Sequence, residues 1–255
     1  MRPSNSHLWR LSGEALALCY RAAAGYEACL TPGASLVLSG EPVADLNYAF
    51  IDAGPQAEAR LRGFVQTVEP RGIPAIFVFT PEVASQLAPV AIELGLQFAE
   101  HVPYMVYRPS KPCGEQSHFE VARVDTEEDI KLCNIVAARG FGIAPDIMDR
   151  TFGPSYIHGP GLDVFIGRQR GVAVSTVQTV RSGDAVGIWA MATMPDQQRK
   201  GAGAALLKHV IAHHYERGAG FFYLGATPAG KPLYERVGFQ TVSEASCWVY
   251  QPSEG

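Results

Sequence analysis

The segment Gln198-Arg199-Lys200-Gly201-Ala202-Gly203-Ala204 joins an apolar run ending at Met194-Pro195 to an amphipathic one. Its residue types suit the binding of an anion. Glycine lets the chain turn tightly and bring its amides against a ligand with no Cβ between them. The first N–H groups of the helix that follows have no internal partners, and the helix dipole places partial positive charge there. Arg199 and Lys200 add two full charges to the same edge. A pyrophosphate fits such an arrangement. Two nucleotide motifs do not: a dinucleotide fingerprint needs a third glycine where Leu206 stands, and GxxxxGK[ST] does not occur.

Other chemically capable residues read as structural. His209 and His213 are spaced i, i+4 on the helix after the turn, and such a pair can hold a metal. The sequence offers no evident third ligand and His214 faces another way, so no metal is assigned. His158 lies in a Gly/Pro-rich loop and reads as structural or exposed. Cys133 falls mid-helix with no base beside it and reads as buried filler. Five scattered cysteines (19, 29, 113, 133 and 247) form no CxxC, which argues for a reducing, cytoplasmic setting over a disulfide framework or zinc cluster.

The elements that must position these residues follow from periodicity. Strands are expected over 163–169, 172–179 and 186–194, a helix over 203–217, a strand over 221–224 and a short helix over 233–237. Upstream, strands are expected over 35–38 and 47–51, a helix over 56–68, a strand over 75–79 and a helix over 81–94. Thr126 with Glu127, Glu128 and Asp129 marks the start of a helix reaching Arg139. Phe141, Ile143, Ile147, Met148 and Phe152 read as an apolar helical hairpin.

The chain also repeats itself. The 16 residues from Gly95 and the 16 from Gly238 share six identities without a gap, at an offset of 143. Each segment reads as a pair of strands closing one half of the chain. The order of elements upstream matches as well, which suggests a duplication: residues 1–110, a Pro/Gly/Ser-rich linker over 111–119, and residues 120–255. The other reading is a single large sheet bearing two similar hairpins.

Together with Leu233-Tyr234-Glu235-Arg236-Val237-Gly238-Phe239, the turn resembles the GCN5-related N-acetyltransferase (GNAT) superfamily. The resemblance rests on Gln198, Gly201 and Gly203 for one motif and on Leu233, Tyr234, Gly238 and Phe239 for the other. It spans about 120–251, with the first half as a weak echo. It implies an α/β (α+β) GNAT fold: a mixed, mostly antiparallel twisted sheet flanked by helices, in two copies. It further implies acetyl-CoA as cosubstrate, without a metal. Its pyrophosphate would lie on Gln198, Arg199, Lys200, Gly201, Ala202, Gly203 and Ala204, and its pantetheine along Met191, Ala192 and Thr193. Tyr234 would give a proton to the departing thiolate. Thr227 stands where many relatives have an asparagine, and the strands 186–194 and 221–224 lack the carboxylate that often serves as base. His158, Asp163 and Asp146 are open candidates for that base, and none is assigned. At the offset of 143 the first half has Ala91 in place of Tyr234, and no glycine pair near 55–60. It therefore reads as a degenerate copy.

Composition narrows the classes. The 255 residues include 21 basic and 25 acidic ones, a net charge of −4, so no basic field favours nucleic acid. No apolar stretch approaches the ~20 residues of a membrane helix, and no secretory signal is evident. The expectation is a cytoplasmic N-acetyltransferase acting on a small-molecule or peptide amine, as monomer or homodimer. A CoA-binding regulatory protein without catalysis, and transfer of a different acyl group, remain open at this point.

Overall fold

The computed structural model describes residues 3–111, 117–153 and 160–252. Cys113 and His158 lie outside them. The described chain forms two compact units, Met1–Tyr104 with Thr241–Gly255, and Met105–Gln240.

The first unit opens with α1 (Asn5–Tyr20), whose first turn is capped by Ser4 accepting from the His7 amide at 3.2 Å. β1 (Glu27–Thr31), β2 (Ala34–Leu38), β3 (Asn47–Ile51), α2 (Ala57–Val68), β4 (Ala75–Phe79), α3 (Pro81–Glu93) and β5 (Gln97–Tyr107) follow. Periodicity located β2, β3, α2, β4 and α3 but neither α1 nor β1. Every residue of β1 is exposed, so it carries no alternation to read. Strands β1, β2 and β3 pair antiparallel in turn, and β3 and β4 run parallel. The core lies between this sheet and α2 and α3, around Leu36, Ile51, Leu61, Phe77, Phe79 and Leu87.

The second unit contains β6 (Glu120–Arg123), α4 (Glu127–Phe141), α5 (Pro145–Thr151), β7 (Leu162–Gln169), β8 (Val172–Ser182), β9 (Ala185–Thr193), α6 (Ala202–Tyr215), β10 (Phe221–Gly225) and α7 (Lys231–Val237). Thr126 caps α4 by accepting from the Asp129 amide at 3.1 Å, as its sequence implies. β6 to β9 form an antiparallel meander, and β10 runs parallel to β9. Leu206, Leu207, Val210 and Ile211 of α6 pack on Phe165, Val177, Val186 and Ile188.

The repeated segments differ from expectation in two ways. Each is one long strand, β5 and β11 (Gln240–Tyr250), where a pair was expected. The strands also sit in exchanged places. β11 follows α7 in sequence, yet Ser246–Tyr250 pairs antiparallel with Ala75–Phe79 of β4 in the first unit. β5 closes the first half in sequence, yet Met105–Tyr107 belong to the second unit, where β5 neighbours β10. The compact units therefore do not divide at 111–119: the first includes Thr241–Gly255, with most of β11, and the second includes Met105–Tyr107 at the end of β5.

Candidate active site: a bulged strand, a glycine turn and a buried tyrosine

β9 changes face partway along. Thr176 of β8 pairs with Ala192 but Gln178 with Trp189, so β9 holds one extra residue there. Ala190 adopts φ 45°, the left-handed conformation of such a bulge. Before the bulge, Val186 and Ile188 point toward α6. After it, Met191 and Thr193 do so. A Cβ on Gly203 of α6 would lie 3.5 Å from Met191 Cε and 3.4 Å from Thr193 Oγ1. Ala192 faces α4, where a Cβ on Gly140 would come within 2.8 Å of its own Cβ. The paired stretch of β9 and β10 covers Ala185–Gly187 and Phe221–Tyr223, so the bulge begins where that pairing stops.

The turn after β9 is sharply bent. Arg199 and Gly201 both lie in the left-handed region, at φ 59° and 96°. That bend delivers the chain to α6, whose first hydrogen bond is Ala205 N–H to Gly201 C=O at 3.0 Å. The amides of Ala202, Gly203 and Ala204 precede that bond and have no partner within the helix. Gln198 Nε2 donates to the Thr193 carbonyl at 3.4 Å, tying the turn to the end of β9. Arg199 and Lys200 are exposed at its rim, with Lys200 Nζ 3.4 Å from Gln197 Oε1.

Tyr234 reaches the same strand from α7. Its hydroxyl donates to Met191 Sδ at 3.7 Å, its ring stands edge-on to Phe239, and burial pushes its pKa up to about 12. Thr227 accepts from the Gly230 amide at 3.2 Å and so starts α7. Gly230 seats the tyrosine, since a Cβ there would lie 2.9 Å from Tyr234 Cε2. Gly238, at φ 114°, ends the helix, with Phe239 N–H donating to the Tyr234 carbonyl at 3.0 Å. The first unit repeats this cap: Leu96 N–H donates to the Ala91 carbonyl at 2.9 Å, so Ala91 holds the position equivalent to Tyr234.

The structure thus gathers Met191, Thr193, Gly203 and Tyr234 around one strand end, with the Gln198–Ala204 turn joined to it. Of the candidate bases within the described residues, Asp146 is exposed and paired with Arg150 at 2.7 Å, and Asp163 is paired with Arg123 at 3.0 Å. The Cys133 thiol is buried and pushed up to about 12, which leaves it unreactive at neutral pH. Sequence reasoning missed Ala190, Gly140 and Gly230. Alanine carries no signature of a bulge, and the glycines act through close approaches that only the fold creates.

Residues 160–241 match the sequence model of the acetyltransferase (GNAT) domain. No curated protein matches the chain in sequence. Among solved structures, it is similar to a GCN5-related N-acetyltransferase from Kribbella flavida (17% identity, TM-score 0.71, 98% of each chain covered). A GCN5-related N-acetyltransferase from Sphaerobacter thermophilus is also similar (13% identity, TM-score 0.62, covering 100% of this chain and 96% of that one). So is a tandem GNAT protein from the clavulanic acid biosynthesis pathway (11% identity, TM-score 0.58, 99% and 91% covered). At such identities the likeness is one of fold, and it extends over the whole chain. No helix among the described residues is long and apolar enough to cross a membrane. Residues 160–241 thus match the GNAT acetyltransferase domain, in a chain that shares the fold of GNAT structures along its length.

Proposed function

We propose that the protein is an N-acetyltransferase of the cytosol that moves an acetyl group from acetyl-CoA to an amine by direct attack on the thioester. The observation that carries this reading is the convergence of the Tyr234 hydroxyl, the bulged end of β9 and the glycine turn. Gly201, at φ 96°, lets the chain turn, and the amides at the start of α6 have no partner within the helix, so the residues fit a pyrophosphate. Arg199 and Lys200 supply the charge that balances it. Met191, Ala192 and Thr193 offer backbone groups to an extended pantetheine arm, with Thr227 beside α7 for its amides.

The chemistry needs a neutral amine, a stabilised carbonyl oxygen and an acid for sulfur. The amine nitrogen bonds to the acetyl carbon, the C–S bond breaks, and Tyr234 donates to the leaving sulfur. A backbone N–H of Met191–Thr193 steadies the oxygen. Burial keeps the Tyr234 proton in place at working pH but weakens the group as an acid. The same apolar surroundings disfavour a free thiolate, which strengthens its pull on that proton. With no carboxylate on β9 or β10, the amine sheds its proton to water.

Calorimetric titration with acetyl-CoA and CoA, followed by an amine panel monitored for thiol release, tests the proposal. Binding with release on one amine class supports it and identifies the acceptor class. Tight CoA binding with no release from any amine would replace it with the CoA-binding regulatory reading, which the absent strand carboxylate favours. No binding would overturn both.

A further inference from the structure

Eleven residues along α6 from Ala202, about 16 Å away at ~1.5 Å per residue, His213 and His214 meet Asp163 of β7. One ligand atom from each lies within 4.8 Å of the other two. We propose that Asp163, His213 and His214 form a binding site for a divalent transition ion of the zinc type.

Two imidazoles and a carboxylate are a donor set that zinc and its borderline neighbours favour. Ligand atoms around a tetrahedral zinc with ~2.0–2.1 Å bonds stand roughly 3.4 Å apart, so small rotamer adjustments close the site. Groups behind the ligands already orient them. Arg123 Nη1 donates to Asp163 Oδ1 at 3.0 Å, which leaves Oδ2 for an ion. The Thr179 hydroxyl donates to the Asp163 carbonyl at 3.3 Å and lies 2.9 Å from His214 Nε2. When Thr179 gives its one proton to the carbonyl it accepts from Nε2–H, and the lone pair of His214 then falls on Nδ1. A metal-bound histidine characteristically has its other nitrogen held in this way. Phe165 stands edge-on to both rings, at 5.0 Å from His213 and 5.8 Å from His214, and fixes their planes.

His214 is 2% exposed, while His213 and Asp163 are half-buried, so an ion would sit at the surface with water completing its shell. Arg217 and Arg181 flank the cluster, and each is partly engaged by a backbone carbonyl, of His213 at 2.8 Å and of Gly183 at 3.0 Å. Their charge opposes a cation, which sets the expected affinity below that of a dedicated structural zinc site. The helix pair His209 and His213, suggested by spacing alone, is replaced by His213 with His214, which was expected to face another way, and by a third ligand, Asp163, from another element.

The test is a titration of the metal-free full chain with Co²⁺, followed by visible absorbance, in a Cys29→Ser background that removes the one exposed thiol among the described residues. One saturable equivalent with the strong bands of a four-coordinate ion is expected, displaced by Zn²⁺. Asp163→Asn and His213→Ala should each weaken binding by at least about tenfold, and His209→Ala should leave it unchanged. Circular dichroism establishes that each variant is folded. No saturable band below about 100 µM Co²⁺, or a band unaffected by both substitutions, would overturn the proposal. Loss in His209→Ala but not in Asp163→Asn would do the same. The readout needs no acetyl transfer, so its failure and that of the proposed function are separate.

Discussion

Tyr234 shows how a single side chain is prepared by its surroundings. It is 8% exposed, sits in contact with Met191, and owes its raised pKa to burial. Tyr234→Phe should lower kcat by roughly 10²–10⁴ while leaving acetyl-CoA affinity nearly unchanged, measured by thiol release and calorimetry. Retained kcat would remove Tyr234 from the acid role. Burial also fixes the pH behaviour. Because the pKa is raised to about 12, the protonated form persists through the alkaline range. The rate should rise as the acceptor amine loses its proton and then hold level to at least pH 10. A fall centred near ~10, the value of a free phenol, would mean that the tyrosine is not buried during turnover. Gly201 is the other decisive residue. At φ 96° any side chain is strained, and Gly201→Asp also places negative charge at the helix start. CoA affinity in that variant should drop at least about tenfold, a difference of ~1.4 kcal/mol, and unchanged affinity would place the phosphates elsewhere.

At the scale of elements, the bulge in β9 decides which side chains reach the site. Side chains alternate along a strand, so one extra residue at Ala190 moves Met191 and Thr193 onto the α6 face. Ala190→Val, whose β-branched side chain opposes the left-handed φ, should flatten the bulge into strict alternation, which puts Met191 and Thr193 on the α4 face and turns Ala192 toward α6. CoA binding should be lost while much of the helix content survives, as calorimetry and circular dichroism would show. Binding kept at wild-type strength would mean that the site does not depend on this register. The sequence made α6, β7, β8 and β10 readable because their apolar residues recur at the periods of helix and strand. The glycine turn was readable because its chemistry is local. Ala190 was not, since nothing in an alanine foretells φ 45°. Asp163 was weighed as a base because its place in the chain says nothing of the two histidines beside it.

At the scale of the whole molecule, the exchange of β5 and β11 governs what can fold. The two segments share the pattern Gly-x-Gln leading to Val-Tyr-x-Pro-Ser, so sequence reveals the repeat but not which strand fills which of two similar places. In the second unit, Tyr107 packs on Phe239 at 5.4 Å, and a Cβ on Gly238 would lie 2.9 Å from Tyr107 Cε2. The cap that ends α7, and with it the seat of Tyr234, thus leans on a residue from the first half of the chain. In the first unit, Trp248 of β11 packs on Phe79, and Trp248 and Tyr250 belong to its core. Cutting at the linker leaves each fragment with its final strand designed for the other's sheet. Residues 111–255 alone should therefore be poorly soluble and bind no acetyl-CoA, and residues 1–110 should lack the core that β11 completes. Co-expression of the two fragments should restore a folded pair that binds acetyl-CoA, because the exchanged strands supply each other's missing edge. A well-folded 111–255 fragment with full acetyl-CoA affinity would show instead that β11 can turn back onto β10. In that case the exchange would be a choice between two nearly equal pairings, and the first half would be dispensable for the site.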